Sequence, residues 1–290
     1  AAVNTFGLVD DPPVFVRGEG PWLIDAAGAR WLDLVGGSAV TALGHGHPAH
    51  REAIAEALDT GILHTGTRLP SPFRARLYAE LATALPSHLD TVHLANSGAE
   101  AIETALKAAM HATGRRHFIA FEGGYHGRTL GALALTHSER LRAPYEPWSQ
   151  PWVTFCPYAG TDDEAASALA ALEHRLAGGA APVAAVVVEA VQGVSGVRGP
   201  SAAFLRGVEA LCRAHGALLI LDEIWSGLGR SGLSRSGRMF AFDHAAITPD
   251  LVALGKGLSA SLPLSAVAGR GAILKAWSPG AHTSTFMGNP

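Results

Sequence analysis

The sequence predicts an α/β protein, a mostly parallel sheet with helices on both faces, preceded by a small β-containing segment. Three observations carry this expectation. Residues 183–188, 218–221 and 251–254 are bulky apolar runs without alternation, the pattern of strands covered on both sides. From Val92 onward strand-like and helix-like stretches take turns, as they do in right-handed β–α–β units. Finally, chemistry-bearing residues stand just past two of the runs: Asp222 and Glu223 after Leu221, and Lys256 between Gly255 and Gly257 after Leu254. Ligands of such sheets collect outside the carboxyl ends of the strands. An acid and an amine are therefore expected to face one crevice.

Taken in order, residues 1–45 read as a separate N-terminal element and residues 46–290 as the main domain. Short β-rich runs at 14–16, 22–24 and 31–34 are separated by the turn signals Arg-Gly-Glu-Gly and Ala-Ala-Gly. His45 and His47 are spaced i, i+2, but no third ligand follows at a supporting spacing, so Leu43-Gly-His-Gly-His-Pro48 reads as a turn and no metal is expected. Helices are predicted over 48–59 and 71–85, flanking a polar loop at 65–72. A strand at 92–95 leads into a helix running to about 113. Ser97 with Glu100 forms its capping box, and Ala99, Ile102, Ala105, Leu106 and Ala109 form its apolar stripe. The strand at 118–121 ends in Glu122-Gly-Gly-Tyr125-His126-Gly-Arg128-Thr129. Residues 163–181 read as an amphipathic helix, 183–188 as a strand closing on Glu189, and 202–215 as the helix feeding the strand at 218.

Composition narrows the function. With 290 residues and 48% hydrophobic content the chain can bury a large core. A net charge of −3 without a basic block argues against nucleic acid and anionic membrane surfaces as partners. No apolar stretch approaches the ~18 residues of a membrane span, and the start carries acids where a signal peptide has an apolar core. Two cysteines, Cys156 and Cys212, make no disulfide framework and suit a reducing compartment. A soluble cytoplasmic protein is expected.

Lys256 stands out by elimination. The chain holds nineteen arginines but three lysines. Lys107 falls in a predicted amphipathic helix and Lys275 in a second one near the end, both readable as solvated charges. Lys256 alone sits at a strand end between glycines, where backbone can approach a ligand. A desolvated amine there would become a nucleophile toward a carbonyl. Ser97-Gly98-Ala99 puts a hydroxyl and unpaired N–H groups at a helix start directly after a strand, a place for phosphate. Tyr125 and His126 offer a flat aromatic at the next strand end. A phosphate cradle, an aromatic plate, a buried carboxylate and a lone lysine together are what pyridoxal phosphate needs. No G-x-G-x-x-G follows a strand with an acid suitably placed, so a Rossmann oxidoreductase is poorly supported.

The stretches LANSGAEAIETALKAA, FEGGYHGRTLGALALT, VVVEAVQG, LLILDEIWSGLGRSG, PDLVALGKGLSASLPLSAV and HTSTFMGNP resemble the class III aminotransferases, the fold-type-I, pyridoxal-phosphate-dependent group. The resemblance implies a ping-pong transfer of an amino group, an omega-amino group included, from an amino acid or amine to a 2-oxo acid. An aminomutase or racemase on the same scaffold, or an idle fragment acting as an interaction subunit, are the alternatives. It implies that Lys256 bonds the cofactor and shuttles protons, and that Asp222 pairs with the pyridine nitrogen. Ile224 and Tyr125 would flank the ring, with His126, Glu189 and Gln192 also at the cofactor. Ser97, Gly98 and Ala99 would hold the phosphate, with Thr285 reaching the phosphate of the other subunit in a homodimer with shared sites. Arg128, Ser38 and Trp225 would meet the substrate. Three departures accompany it. A family motif reading EPVQGEGG is Glu189-Ala-Val-Gln192-Gly-Val194-Ser195-Gly here, and Trp225 stands where many members have glutamine. Both make the substrate pocket more apolar and weaken an acetylornithine or ornithine assignment. Relatives also continue through a C-terminal small domain, which is expected to be missing from this chain.

Overall fold

The computed structural model describes residues 12–62, 64–146, 152–179, 181–229 and 238–288. The chain divides into two compact units, Ala1–Gly61 and Ile62–Pro290.

The N-terminal unit contains an antiparallel sheet in the order β1 (Phe15–Glu19), β2 (Trp22–Asp25), β3 (Arg30–Leu32). Its helix α1 (Pro48–Asp59) starts on proline, whose missing N–H costs nothing in a first turn. His45 meets Asp33, Nε2 to Oδ2 at 2.8 Å. Ser38 belongs to this unit and lies in a run of left-handed backbone, at φ +61.

The second unit is built from α2 (Pro72–Ala84), β4 (Thr91–Ala95), α3 (Gly98–Thr113), β5 (His117–Phe121), α4 (Leu130–Leu135), β6 (Val153–Cys156), α5 (Asp162–Gly178), β7 (Val183–Glu189), α6 (Ala202–His215), β8 (Leu218–Asp222), β9 (Leu251–Leu254) and β10 (Ser265–Gly269). The strands form one sheet in the order β4-β10-β9-β8-β7-β5-β6. β10 runs antiparallel to both neighbours, and the other pairs are parallel. The unbroken apolar runs are explained by what covers each face. Val186, Val188, Leu219, Leu221, Val252 and Leu254 pack into one core with α5 and α6, through residues such as Leu172 and Phe204. Ala185, Val187, Ile220 and Ala253 pack into a second core with Ile102 and Ala105 of α3. Side chains alternate between these faces with period two.

Three features differ from the sequence reading. β6 and β10 were not anticipated; β10 reads Ser-Ala-Val-Ala-Gly, poor in strand-forming residues, yet all five residues are buried. Lys275 does not lie within an amphipathic helix but at the C-terminal end of a single turn, Gly271–Leu274. Lys107 is exposed on α3 but engaged, with Nζ 2.9 Å from His282 Nδ1. Among the described residues no helix is long and apolar enough to cross a membrane, and no group of three or more His, Cys, Asp or Glu side chains could hold a metal ion.

Candidate active site

The carboxyl ends of β4, β8 and β9 meet around one side chain. Ile224, two residues past Asp222, lies so close to the backbone of Gly98 and Gly255 that a Cβ on either would come within 3.0 and 3.2 Å of it. No larger residue fits at Gly98 unless Ile224 moves. The contact draws together the start of α3, the end of β8 and the turn bearing Lys256. β8 and β9 are parallel neighbours, with Asp222 in register with Ala253. Asp222 and Lys256 therefore share one edge of the sheet, as the sequence predicted. Lys256 is half-buried, and its backbone takes φ +42, an uncommon conformation for a non-glycine residue.

Period two places Asp222 on the α3 side of the sheet, following Ile220, and Glu223 on the other. Asp222 is buried, and its Oδ2 lies 2.8 Å from Nδ1 of the equally buried His126. Its Oδ1 accepts from the Ile224 N–H at 3.0 Å. Burial opposes a charge on His126, but the hydrogen bond and charge of Asp222, with help from Glu189, outweigh it and hold the imidazole above its ordinary pKa. The Thr136 hydroxyl accepts from the His126 N–H at 3.0 Å and so anchors the loop on that side. Glu189 stands opposite Asp222 in the β7–β8 register. Its oxygens accept from the N–H groups of Tyr125 (2.7 Å) and Gly193 (3.2 Å). Burial first, then the negative charge of Asp222, push the Glu189 carboxyl up to about 7, against the pull of His126 and the two N–H groups.

At the helix start the expected capping box is present: Ser97 Oγ accepts from Glu100 N, and Glu100 Oε2 accepts from Ser97 N at 2.9 Å. This leaves the N–H groups of Gly98 and Ala99 as first-turn donors pointing out of the helix, suited to an anion. Ser265 Oγ donates to the Ser97 carbonyl at 2.7 Å and steadies the turn from β10. Ser284 Oγ accepts from Asn96 Nδ2 at 3.0 Å, which ties the segment carrying the exposed Thr285 to the same turn. Arg128 is exposed, and its Nε donates to the Tyr125 hydroxyl at 3.3 Å. Trp225 packs over Gly193, where a Cβ would come within 2.9 Å of the indole. Gln192 is buried and donates from Nε2 to the Glu122 carbonyl at 2.8 Å. Arg230, which closes the Gly-Leu-Gly-Arg motif, lies outside the described residues.

Glu223 went unassigned in the sequence. Fully buried on the α6 side, it accepts from Ser226 Oγ at 2.5 Å and from the Phe242 N–H at 2.9 Å. Burial pushes its carboxyl up to about 7. Its signal was the Asp-Glu doublet itself, since adjacent strand residues face opposite sides. The link between His126 and Asp222 had no local signal.

The parts suit a phosphorylated pyridine aldehyde. Asp222 is a buried carboxyl hydrogen-bonded to His126, suited to meet a ring nitrogen. The N–H groups of Gly98 and Ala99 suit a phosphate. Lys256 supplies an amine on the same edge.

Comparison with known proteins gives a consistent result. The sequence profile of the class-III aminotransferases matches residues 9–290. The acetylornithine aminotransferase of Methanopyrus kandleri is 42% identical over 99% of this chain, which covers 69% of that protein. The diaminobutyrate–2-oxoglutarate aminotransferase of Haemophilus influenzae is 37% identical over 96% of this chain and 63% of its own length. Among solved structures, an (S)-enantioselective omega-transaminase from Thermomicrobium roseum superposes with a TM-score of 0.88 at 30% identity, over 99% of this chain and 69% of that one. An ornithine aminotransferase from Toxoplasma gondii gives 0.84 at 31%, over 99% and 65%. The chain thus spans about two thirds of the length of these relatives.

Proposed function

The chain belongs to the class III aminotransferases, a pyridoxal-phosphate-dependent family, and on that premise we propose that it serves an enzyme moving an amino group from an amino acid or amine to a 2-oxo acid. The observation that carries this reading is the placement of Asp222 and Lys256 at the ends of adjacent parallel strands, with Asp222 buried against His126. When bound, the cofactor supplies an electron sink for the carbanion formed at the substrate carbon.

The remaining work falls to the protein. Lys256 would hold the cofactor through its amine and would carry a proton to and from the substrate carbon. Asp222 would face the cofactor's ring nitrogen, with His126 hydrogen-bonded behind it. The N–H groups of Gly98 and Ala99, with the Ser97 hydroxyl, would hold the phosphate. Ile224 and Tyr125 would line the site of the ring. Arg128 receives a substrate carboxylate, with Trp225 as a further substrate contact. Val194 and Trp225 make the substrate pocket more apolar and favour donors with an apolar side chain. Thr285 serves the phosphate of a second subunit, so the working form is a homodimer. Free, buried Cys156 and Cys212 suit a reducing, cytoplasmic setting.

The test is kinetic. Purified protein supplied with pyridoxal phosphate should show a visible absorption band that amino donors bleach without acceptor, and steady-state plots against donor and 2-oxo acid should be parallel. No band and no bleaching across a donor panel would reject the reading. Racemisation or amine migration without any need for acceptor would favour the racemase or mutase alternative. Sedimentation should give a dimer, and a fully active monomer would remove the role of Thr285.

A further inference from the structure

The end of β7 and the loop after it grip the loop after β5 at three points. Glu189 Oε1 accepts from the Tyr125 N–H at 2.7 Å, Gln192 Nε2 donates to the Glu122 carbonyl at 2.8 Å, and Ser195 Oγ donates to the Gly123 carbonyl at 2.5 Å. The fit is close. Gly123 takes φ +80, and a Cβ there would fall 2.7 Å from Gln192 Oε1 and 3.0 Å from Ser195 Oγ. The Gln192 Oε1 atom is buried with no hydrogen-bond partner among the described residues, so only the amide nitrogen is engaged, toward Glu122. The gripping loop is itself closed by paired backbone bonds between Gln192 and Arg198, at 2.9 and 3.0 Å. Arg198 is held in turn by a bond from its guanidinium to the Tyr158 carbonyl at 3.2 Å. Within this closure Val197 adopts φ +56, a costly conformation for a β-branched residue that persists only where surrounding contacts impose it.

We infer that Ser195, together with Gln192, is a positioning residue. It locks the Glu122–Gly123 backbone so that Tyr125 and His126, two and three residues on, are presented at the site, and it acts through that loop rather than on the cofactor. The lock belongs to this sequence: the motif that the stretch resembles has glycine where Ser195 stands, and glycine has no hydroxyl to donate. What Tyr125 and His126 do there rests on the class III reading; the grip does not.

Amide hydrogen exchange across residues 123–126 tests it in cofactor-free protein. All four N–H groups are hydrogen-bonded, to His137 Nδ1, the Phe121 carbonyl, Glu189 and Thr136. In Ser195→Ala these amides should exchange about five-fold faster, the size of one neutral hydrogen bond, with exchange in β7 and β8 unchanged. The dissociation constant for pyridoxal phosphate, read from the visible band, should weaken by a similar factor. Ser195→Thr should restore both, and Gln192→Leu should loosen the same amides. Unchanged exchange at 123–126 in Ser195→Ala overturns the inference. So does acceleration spread over the whole sheet, or a Thr variant that fails to restore the loop. If the wild-type protein takes up no cofactor, the class III reading fails while the exchange rates still decide the grip.

Discussion

His126 Nδ1 and Asp222 Oδ2 lie 2.8 Å apart, although ninety-six positions separate them in the chain, and both side chains are almost wholly buried. A carboxylate at the end of an apolar strand is costly to bury alone, and a positive, hydrogen-bonded partner offsets that cost. The Asp222 carboxyl is thus held in place by the loop after β5.

Asp222→Asn keeps shape and hydrogen bonding but removes the charge. It should slow the half-reaction with amino donor by about a hundredfold or more, from the loss of about 3 kcal/mol of transition-state stabilisation in a dry site. Single-turnover kinetics with cofactor bound give the answer. A near wild-type rate would make Asp222 a structural acid only.

His126→Phe leaves Asp222 buried without its partner. Unfolding in urea should show a loss of about 3 kcal/mol or more, as breaking a buried ion pair does. His126→Asn, which can still donate a hydrogen bond, should lose less. Equal losses in the two variants would mean that packing, not the bond to Asp222, is what His126 contributes.

Lys256→Ala should abolish turnover while the fold survives, because Lys256 sits half-buried in a short turn past β9 rather than in either core. Borohydride reduction of the wild-type protein followed by peptide mapping should put the pyridoxyl label on Lys256. A label on Lys107 or Lys275 would overturn the assignment.

Glu223 predicts a slope of stability with pH. Its folded pKa, about 7, lies above the ordinary value of 4.5, so the folded state binds more protons than the unfolded one between those values. Its contribution to stability is therefore present at low pH and is lost as pH rises through about 7. The loss is at most about 3 kcal/mol. Glu223→Gln, which does not titrate, should flatten that part of the profile. Parallel wild-type and variant curves from pH 5 to 8, followed by thermal unfolding, would refute this.

Much of the site was legible in the chain because its signals are local. Continuous apolar runs marked β7, β8 and β9 as strands covered on both faces, and the first polar residues beyond them named Asp222, Glu189 and Lys256. Ser97 and Glu100, three residues apart, announced the capped helix start, and the structure has that box. The scarcity of lysine singled out Lys256. Periodicity and capping depend on residues within a turn or two of one another, so composition and order suffice to read them.

Tertiary structure alone decided how these pieces meet. Ile224 wedged between Gly98 and Gly255, His126 behind Asp222, and Ser195 on the carbonyl of Gly123 all join segments that are distant in the chain. Which strand ends become neighbours follows from strand order, here β8 between β9 and β7 with β10 inserted antiparallel beside β4. That order is chosen by the packing of both faces of the sheet at once. β10 shows the same division: its small residues carry little strand propensity of their own, and it is a strand because β4 and β9 supply hydrogen bonds on both of its edges.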